Sequence, residues 1–138
     1  MKDVDVAKNL LVDDKTCVLV LNDKIIERKE RGIMPIMALL QENFDLQGYS
    51  VADRIVGKAA AYLFVYAGIK EVYSEVISES GIEVLEKYHI PYSYGTKTDV
   101  IINRKGDDIC PMEKTVKDID EPSKAYEALK EKVAALKR

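Results

Sequence analysis

Residues 71–77 have the sequence Glu-Val-Tyr-Ser-Glu-Val-Ile, and Ser78-Glu79-Ser80 follows directly. This short run is rich in β-branched and aliphatic residues and follows Gly68, so it predicts a buried strand that comes after the end of a helix. Serine is a preferred N-cap, so Ser78 or Ser80 predicts a helix that continues to about Tyr88. A strand leading into a helix is the repeating unit of α/β proteins.

The flanking segments extend this alternation. Residues 16–21 and 24–28 predict a β-hairpin, because Asn22-Asp23 between them supplies turn chemistry. Residues 53–67 predict one apolar helix buried against a sheet. Apolar spacing and turn signals predict further helices over 3–12, 32–43, 112–119 and 123–136, and short strands over 92–94 and 99–103. No linker or repeat interrupts the pattern, so residues 1–138 are predicted to form a single α/β domain.

Composition excludes several classes of partner. The chain carries 21 Lys and Arg against 24 Asp and Glu, a net charge of −3, without a basic cluster of the kind that binds nucleic acid. It has no signal-peptide core and no apolar run near the roughly 20 residues of a membrane span. We therefore expect a cytoplasmic protein that binds neither nucleic acid nor membranes. Cys17 and Cys110 are expected to be reduced thiols, and no cofactor is predicted.

Four stretches together resemble a known family. They are Gly-Ile-Met-Pro at 32–35, Val-Ala-Asp-Arg-Ile-Val-Gly-Lys-Ala-Ala-Ala at 51–61, Glu-Val-Ile-Ser-Glu at 75–79 and Ile-Cys-Pro-Met-Glu-Lys at 109–114. The resemblance is to the uncharacterised domain-of-unknown-function family 1893 of small bacterial and archaeal proteins. It implies a cytidine deaminase-like fold, which is a three-layer α-β-α sandwich with a mixed sheet. A fold of this kind does not determine the reaction.

The zinc chemistry of deaminases is not predicted for this chain. Zinc deaminases place a His or Cys, followed two residues later by Glu, at one helix start and Pro-Cys-x-x-Cys at the next, because the metal needs three ligands and its water a proton shuttle. The two helix starts compared here, residues 56–60 and 78–82, contain no His or Cys. We therefore expect no metal site.

The starts of the same two helices are nevertheless candidates for binding a ligand. Asp53 is interpreted as a helix cap or a ligand-facing carboxylate, and Lys58 as a ligand contact or a surface side chain. Ser78 and Glu79 are either capping residues or polar groups at the carboxyl end of a core strand, where α/β proteins bind ligands. We expect a pocket between these helix starts.

A polar segment near the C-terminus is predicted to cover that pocket. Asn103 and Arg104 are candidates for binding anionic or amide groups, although a solvated loop is the alternative. Cys110 precedes Pro111 and a helix start, where the helix dipole favours a thiolate, so it is a candidate nucleophile with Glu113 or Glu79 as its acid or base. The alternative for Cys110 is a buried turn residue.

Three functional hypotheses remain open at this point. The first is a non-zinc deaminase-like domain that binds a nucleotide or nucleotide-like metabolite in the pocket. The second is a thiol-dependent enzyme that uses Cys110 on an electrophilic small molecule. The third is a structural module whose exposed Tyr and Met side chains hold a homo-oligomer together. The sequence does not identify the ligand or the reaction.

Overall fold

The computed structural model describes residues 1–137. In chain order the elements are α1 (Asp3–Leu10), β1 (Cys17–Leu21), β2 (Lys24–Arg28), α2 (Met34–Gln41), β3 (Ser50–Val56), α3 (Lys58–Ala67), β4 (Glu71–Ser78), α4 (Glu79–Lys87), β5 (Tyr92–Thr98), α5 (Pro111–Val116) and α6 (Pro122–Leu136). No helix within these residues combines the length and the apolar character that a membrane span requires.

The strands form one mixed sheet in the order β2-β1-β3-β4-β5. β1 is antiparallel to both of its neighbours, whereas β3, β4 and β5 are parallel and are connected through α3 and α4. Parallel neighbours need a crossover of this type, while the hairpin of β1 and β2 needs only a two-residue turn. The hairpin predicted from the sequence is therefore confirmed.

Helices cover both faces of the sheet, which confirms the three-layer α-β-α sandwich with a mixed sheet. On one face α1 packs Ala7 and Leu11 against Val18, Val20 and Ala52. The other face carries the main core, to which α2, α3, α4 and α6 contribute. Burial of large apolar side chains in this core, each worth about 1.5–3 kcal/mol, stabilises the sandwich.

The prediction of one helix over residues 53–67 is wrong. The segment is divided into the end of β3 and the helix α3, with Gly57 between them. Asp53 is consequently not a helix cap but a residue inside β3, paired in register with Cys17 of β1 and Ser74 of β4. Charged residues at 53 and 54 interrupt the apolar run of this strand, and this obscured the pattern of a buried strand.

Two other boundaries also differ from the predictions. β5 continues beyond the expected 92–94 to Thr98, because it pairs with β4 along its whole length. Residues 99–103 do not form a strand of the sheet; Ile102 makes an isolated antiparallel bridge with Ile109 instead. This bridge closes the segment between β5 and α5 into a flap, defined here as residues 101–110.

Candidate ligand cleft

A cleft of about 870 Å³ opens beside the carboxyl half of β3. Its walls are residues 31–34 before and at the start of α2, parts of residues 53–60 from β3 and α3, and the flap with the first residues of α5. Most of the lining is apolar, including Ile33, Met34, Ile55, Ala59, Ala60, Ile101, Ile102 and Met112. The volume lies within the range of small-molecule sites.

The position of the cleft corrects the pocket expected from the sequence. The start of α2 forms its second helical wall, and neither Ser78 nor Glu79 at the start of α4 is among the lining residues. The physical reason is that residues 53–56 belong to the unrecognised strand β3, and that α2 packs against α3 beside it. The Gly-Ile-Met-Pro motif at 32–35 was the available signal, because it marks a loop that turns into a helix.

Asp53 is the buried carboxyl group of the cleft. Its side chain is only 6% exposed, and the backbone N–H of Arg54 donates to its Oδ1 at 2.8 Å. Burial removes the carboxylate from water and raises the pKa of Asp53 to about 8, although nearby backbone N–H groups and the Arg54 charge oppose the shift. At neutral pH the folded protein therefore holds this carboxyl mainly in its protonated form.

The groups beside Asp53 do not neutralise its charge. Cys17 is buried on the neighbouring strand, and burial, followed by the negative charge of Asp53, raises the pKa of its thiol. The Arg54 guanidinium is directed to Glu75 and to the carbonyl oxygens of Lys15 and Asp13. Within residues 1–137, therefore, no cationic side chain pairs directly with the Asp53 carboxyl.

The start of α3 is capped by Glu113. The backbone N–H groups of Lys58 and Ala59 donate to the two carboxylate oxygens at 2.8 and 2.9 Å. A helix start carries unpaired N–H groups and a partial positive charge, so a carboxylate is a favourable partner there. This contact gives Glu113 a structural role and fills the place in which the sequence suggested a bound anion.

Gly57 permits this contact by having no side chain. Its backbone is extended, so the glycine is not needed for its φ angle. A Cβ at this position would lie 2.6 Å from Cδ of Glu113, inside the carboxylate group. Gly57 thus allows a close approach of a carboxylate that belongs to the chain itself.

Lys58 points away from the cleft lining. Its Nζ donates to the carbonyl oxygen of Lys117 at 2.8 Å and lies 5.9 Å from the centre of the Tyr62 ring. Lys117 is the residue that follows α5. Lys58 and Glu113 together therefore attach both ends of α5 to the start of α3.

Ser78 caps α4 within its own sequence. Its Oγ accepts the N–H of Gly81 at 3.1 Å, and the Ser80 hydroxyl lies 3.1 Å from the same oxygen. The Glu79 carboxylate is exposed and pairs with Lys97 of β5 at 3.7 Å. The capping interpretation of Ser78 agrees with this geometry.

Asn103 organises the flap. Its Oδ1 accepts the N–H groups of Gly106 and Asp107, and its Nδ2 donates to Asp107 Oδ1 at 2.9 Å. Arg104 and Lys105 are exposed beside it and line the cleft. Neither of these two side chains forms a hydrogen bond or an ion pair with another residue of 1–137. Both charges are therefore available to a ligand.

Cys110 lies at the junction of the flap and α5 and also lines the cleft. It is partly buried, and its backbone N–H donates to Ile101 O at 2.9 Å. The ammonium group of Lys114, on the helix that follows Cys110, is paired with Asp108. The structure therefore brings Cys110, Asp53, Asn103, Arg104 and Glu113 to one cleft and leaves Lys58, Ser78 and Glu79 outside its lining.

Sequence reasoning missed three polar or flexible contributors to the cleft, namely Arg31, Met34 and Lys105. The places of Arg31 and Met34 depend on the packing of α2 against α3, which local patterns do not reveal. Within residues 1–137, no three His, Cys, Asp or Glu side chains lie close enough together to bind one metal ion. The α2 start also lacks the zinc-deaminase ligands, since residues 31–35 are Arg-Gly-Ile-Met-Pro.

Comparison with known proteins gives one strong similarity. The family model described as TM1506, Domain of unknown function (DUF1893), matches residues 5–133. The solved structure of a DUF1893 family protein from Thermotoga maritima is 28% identical, with a TM-score of 0.79 over 86% of this chain and 81% of that one. No protein with a curated description matches the chain.

Two deaminase structures are similar at a much lower level. A diaminohydroxyphosphoribosylaminopyrimidine deaminase/5-amino-6-(5-phosphoribosylamino)uracil reductase from Thermotoga maritima is 19% identical, with a TM-score of 0.48 over 59% of this chain and 29% of that one. The dCMP deaminase of cyanophage S-TIM5 is 13% identical, with a TM-score of 0.44 over 69% of this chain and 90% of that one. Similarities at this level carry no argument about activity.

Proposed function

The chain belongs to the DUF1893 family, and from this premise we propose that it binds a nucleotide or nucleotide-like metabolite in the cleft. The observation that carries the proposal is the distribution of polarity: apolar walls surround one buried carboxyl, while Arg31, Arg104 and Lys105 supply positive charge from exposed positions. Small-molecule sites commonly combine apolar walls with a few polar groups of this kind.

The two parts of such a ligand have different partners in this proposal. The base lies between the apolar walls, with Asp53 beside its polar edge. The phosphate is bound by the exposed cations, because the helix-start N–H groups of α3 already bind Glu113. Asp107 and Asp108 of the flap are engaged by Asn103 and Lys114, which reduces their repulsion of an anion.

Calorimetric titration of the purified protein with CMP, UMP, AMP and GMP, and with the matching nucleosides, tests this proposal. At least one monophosphate should bind, and the Arg104→Ala/Lys105→Ala double variant should weaken its binding about tenfold while changing nucleoside binding little. Lys24→Ala, an exposed cation outside the cleft, is the control. Absence of binding by all four monophosphates would overturn the nucleotide proposal.

The thiol-enzyme hypothesis keeps one supporting observation. Cys110 and Asp53 line the same cleft, and the Glu113 carboxylate is bound by the start of α3, so Asp53 is the better candidate for the acid or base that this chemistry requires. The test is reaction of the native protein with iodoacetamide and with electrophilic acyl compounds. A covalent adduct on Cys110 that turns over, and that is lost in Cys110→Ser, would favour this alternative over a binding protein.

A further inference from the structure

The wall of the cleft that β3 forms carries one polar side chain with unused hydrogen-bonding capacity. Asp53 is 6% exposed and lines the cleft, and Arg54 N–H donates to its Oδ1 at 2.8 Å. Hydrogen bonds from other side chains of residues 1–137 to this carboxyl are absent. The backbone N–H of Ile55 also acts on this carboxyl, so the capacity available to a ligand in the cleft is what the two carboxyl oxygens retain beyond these two backbone N–H groups.

The surroundings of Asp53 favour the uncharged carboxyl. Cys17 beside it on β1 is a buried neutral thiol, and the hydroxyl of Ser74 beside it on β4 donates to Val76 O at 2.5 Å. Burial raises the pKa of Asp53 to about 8. An uncharged carboxyl presents an O–H donor next to a C=O acceptor, whereas a carboxylate only accepts.

We infer that Asp53 determines the specificity of the cleft by binding an uncharged ring edge on which an N–H donor stands next to a hydrogen-bond acceptor. Cyclic amides and cyclic amidines have this edge, and they pair with a carboxyl group through two parallel hydrogen bonds. The apolar side chains of Ile33, Ile55 and Met112 line the same cleft and suit the faces of a flat ring. The inference rests on the proposed small-molecule site and names the class of ring that the site accepts.

A matched pair of ring compounds tests the inference without a nucleotide. 2-Pyridone has the adjacent N–H and C=O groups, and N-methyl-2-pyridone has the same ring and carbonyl but no N–H donor. Titration at pH 6.5, followed by NMR shifts of the isoleucine methyl groups, gives both affinities. The wild-type protein should bind 2-pyridone about tenfold more tightly, because the methylated ring leaves the buried carboxyl without its partner.

Two variants assign the preference to Asp53. Asp53→Asn keeps a donor and an acceptor on an uncharged side chain and should preserve the preference for 2-pyridone. Asp53→Leu has similar size without polar atoms, and it should bind the two rings equally. Asp118→Asn, which changes an exposed aspartate outside the cleft, should behave as the wild type.

Each outcome separates this inference from the nucleotide proposal. Equal binding of the two rings by the wild-type protein, a preference that persists in Asp53→Leu, or no binding of either ring would overturn the role of Asp53. If the two rings are distinguished while all four nucleoside monophosphates fail to bind, the nucleotide proposal is wrong and the inference holds. If a monophosphate binds while the rings are not distinguished, the nucleotide proposal holds and the inference is wrong.

Discussion

Two consecutive strand–helix units contribute neighbouring strands to the sheet. They differ in how the polar groups of the strand and of the helix start find hydrogen-bond partners. In β4–α4 the buried Ser74 hydroxyl binds a carbonyl of its own strand, and Ser78 caps the helix that follows. In β3–α3 the corresponding positions carry Asp53 and Gly57, and the cap is Glu113 from a distant part of the chain. The first unit satisfies its polar groups within its own sequence, whereas the second depends on α5.

This difference explains why the cleft lies at β3–α3. The β4–α4 unit contributes no side chain to the lining of the cleft. The other unit has a position without a side chain at Gly57 and a buried carboxyl at Asp53, so its surface accommodates both α5 and a ligand. The largest consequences of the comparison concern stability, and they can be measured without knowing the ligand.

The largest expected effect comes from Asp53 and pH. Its pKa lies near 8 in the folded protein and near 3.8 ordinarily, so between these pH values the unfolded chain loses a proton that the folded protein keeps. The free energy of unfolding should therefore fall as pH rises from about 4 to 8, by at most roughly 6 kcal/mol in total. Urea unfolding at pH 5, 6.5 and 8 measures this fall.

Asp53→Asn should remove the fall, because the amide does not titrate, whereas Asp118→Asn should retain it. Two other shifted groups act outside this range. Arg28 lowers the pKa of Glu30 to about 2, so the stability from Glu30 is lost below about pH 4.5, and the raised pKa of Cys17 matters only above about pH 9. A pH profile shared by wild type and Asp53→Asn would contradict a buried neutral carboxyl.

The second effect concerns replacing the Glu113 cap of α3 by a serine cap like that of α4. Gly57→Ser should destabilise the protein by about 2 kcal/mol, because its Cβ overlaps the Glu113 carboxylate and displaces this side chain from the start of α3. In a Glu113→Ala background the same substitution should be neutral or stabilising, because the introduced hydroxyl can cap α3 as Ser78 caps α4. Chemical denaturation of the four proteins of this double-mutant cycle measures the coupling.

The control for that cycle is Glu131→Ala, which removes an exposed glutamate of α6 and should not couple to Gly57→Ser. Additive effects of Gly57→Ser and Glu113→Ala would show that Glu113 and residue 57 do not compete for the start of α3.

Removing each cap alone should give a smaller difference in stability between the two helix starts. Glu113→Ala should cost about 2 kcal/mol, since it leaves two N–H groups unpaired and removes a charge from the helix start. Ser78→Ala should cost about 1 kcal/mol, since one N–H loses its partner. Thermal unfolding of the two variants checks the order, and a larger loss for Ser78→Ala would reverse the comparison.

The smallest effect is expected for Lys58→Ala. Its Nζ is bound to Lys117 O at a partly exposed position, and alanine favours the helix, so the change in stability should be about 0.5 kcal/mol. Nucleotide affinity should change less than twofold, because the side chain does not line the cleft. A loss of affinity comparable to that of the Arg104→Ala/Lys105→Ala variant would show that Lys58 contacts the nucleotide.

The sequence predicted those parts of the fold that depend on neighbouring residues. The turn at Asn22-Asp23, the N-cap at Ser78 and the early Pro35 of α2 mark their elements locally. β3 was missed because the carboxyl of Asp53 contradicts the pattern of a buried strand, and its burial is possible only because the folded environment keeps it protonated. The Glu113 cap was missed for a related reason: Glu113 and Gly57 meet only through tertiary packing.

The separation of Glu113 from the helix that it caps also has a consequence for synthesis of the chain. Glu113 follows Lys58 by 55 residues, so at about 5–20 residues per second a ribosome adds it roughly 3–11 seconds later. The cap of α4 is complete within three residues of its serine. During translation the residues that cap α4 are therefore made together with the helix, whereas the residue that caps α3 is made only with α5.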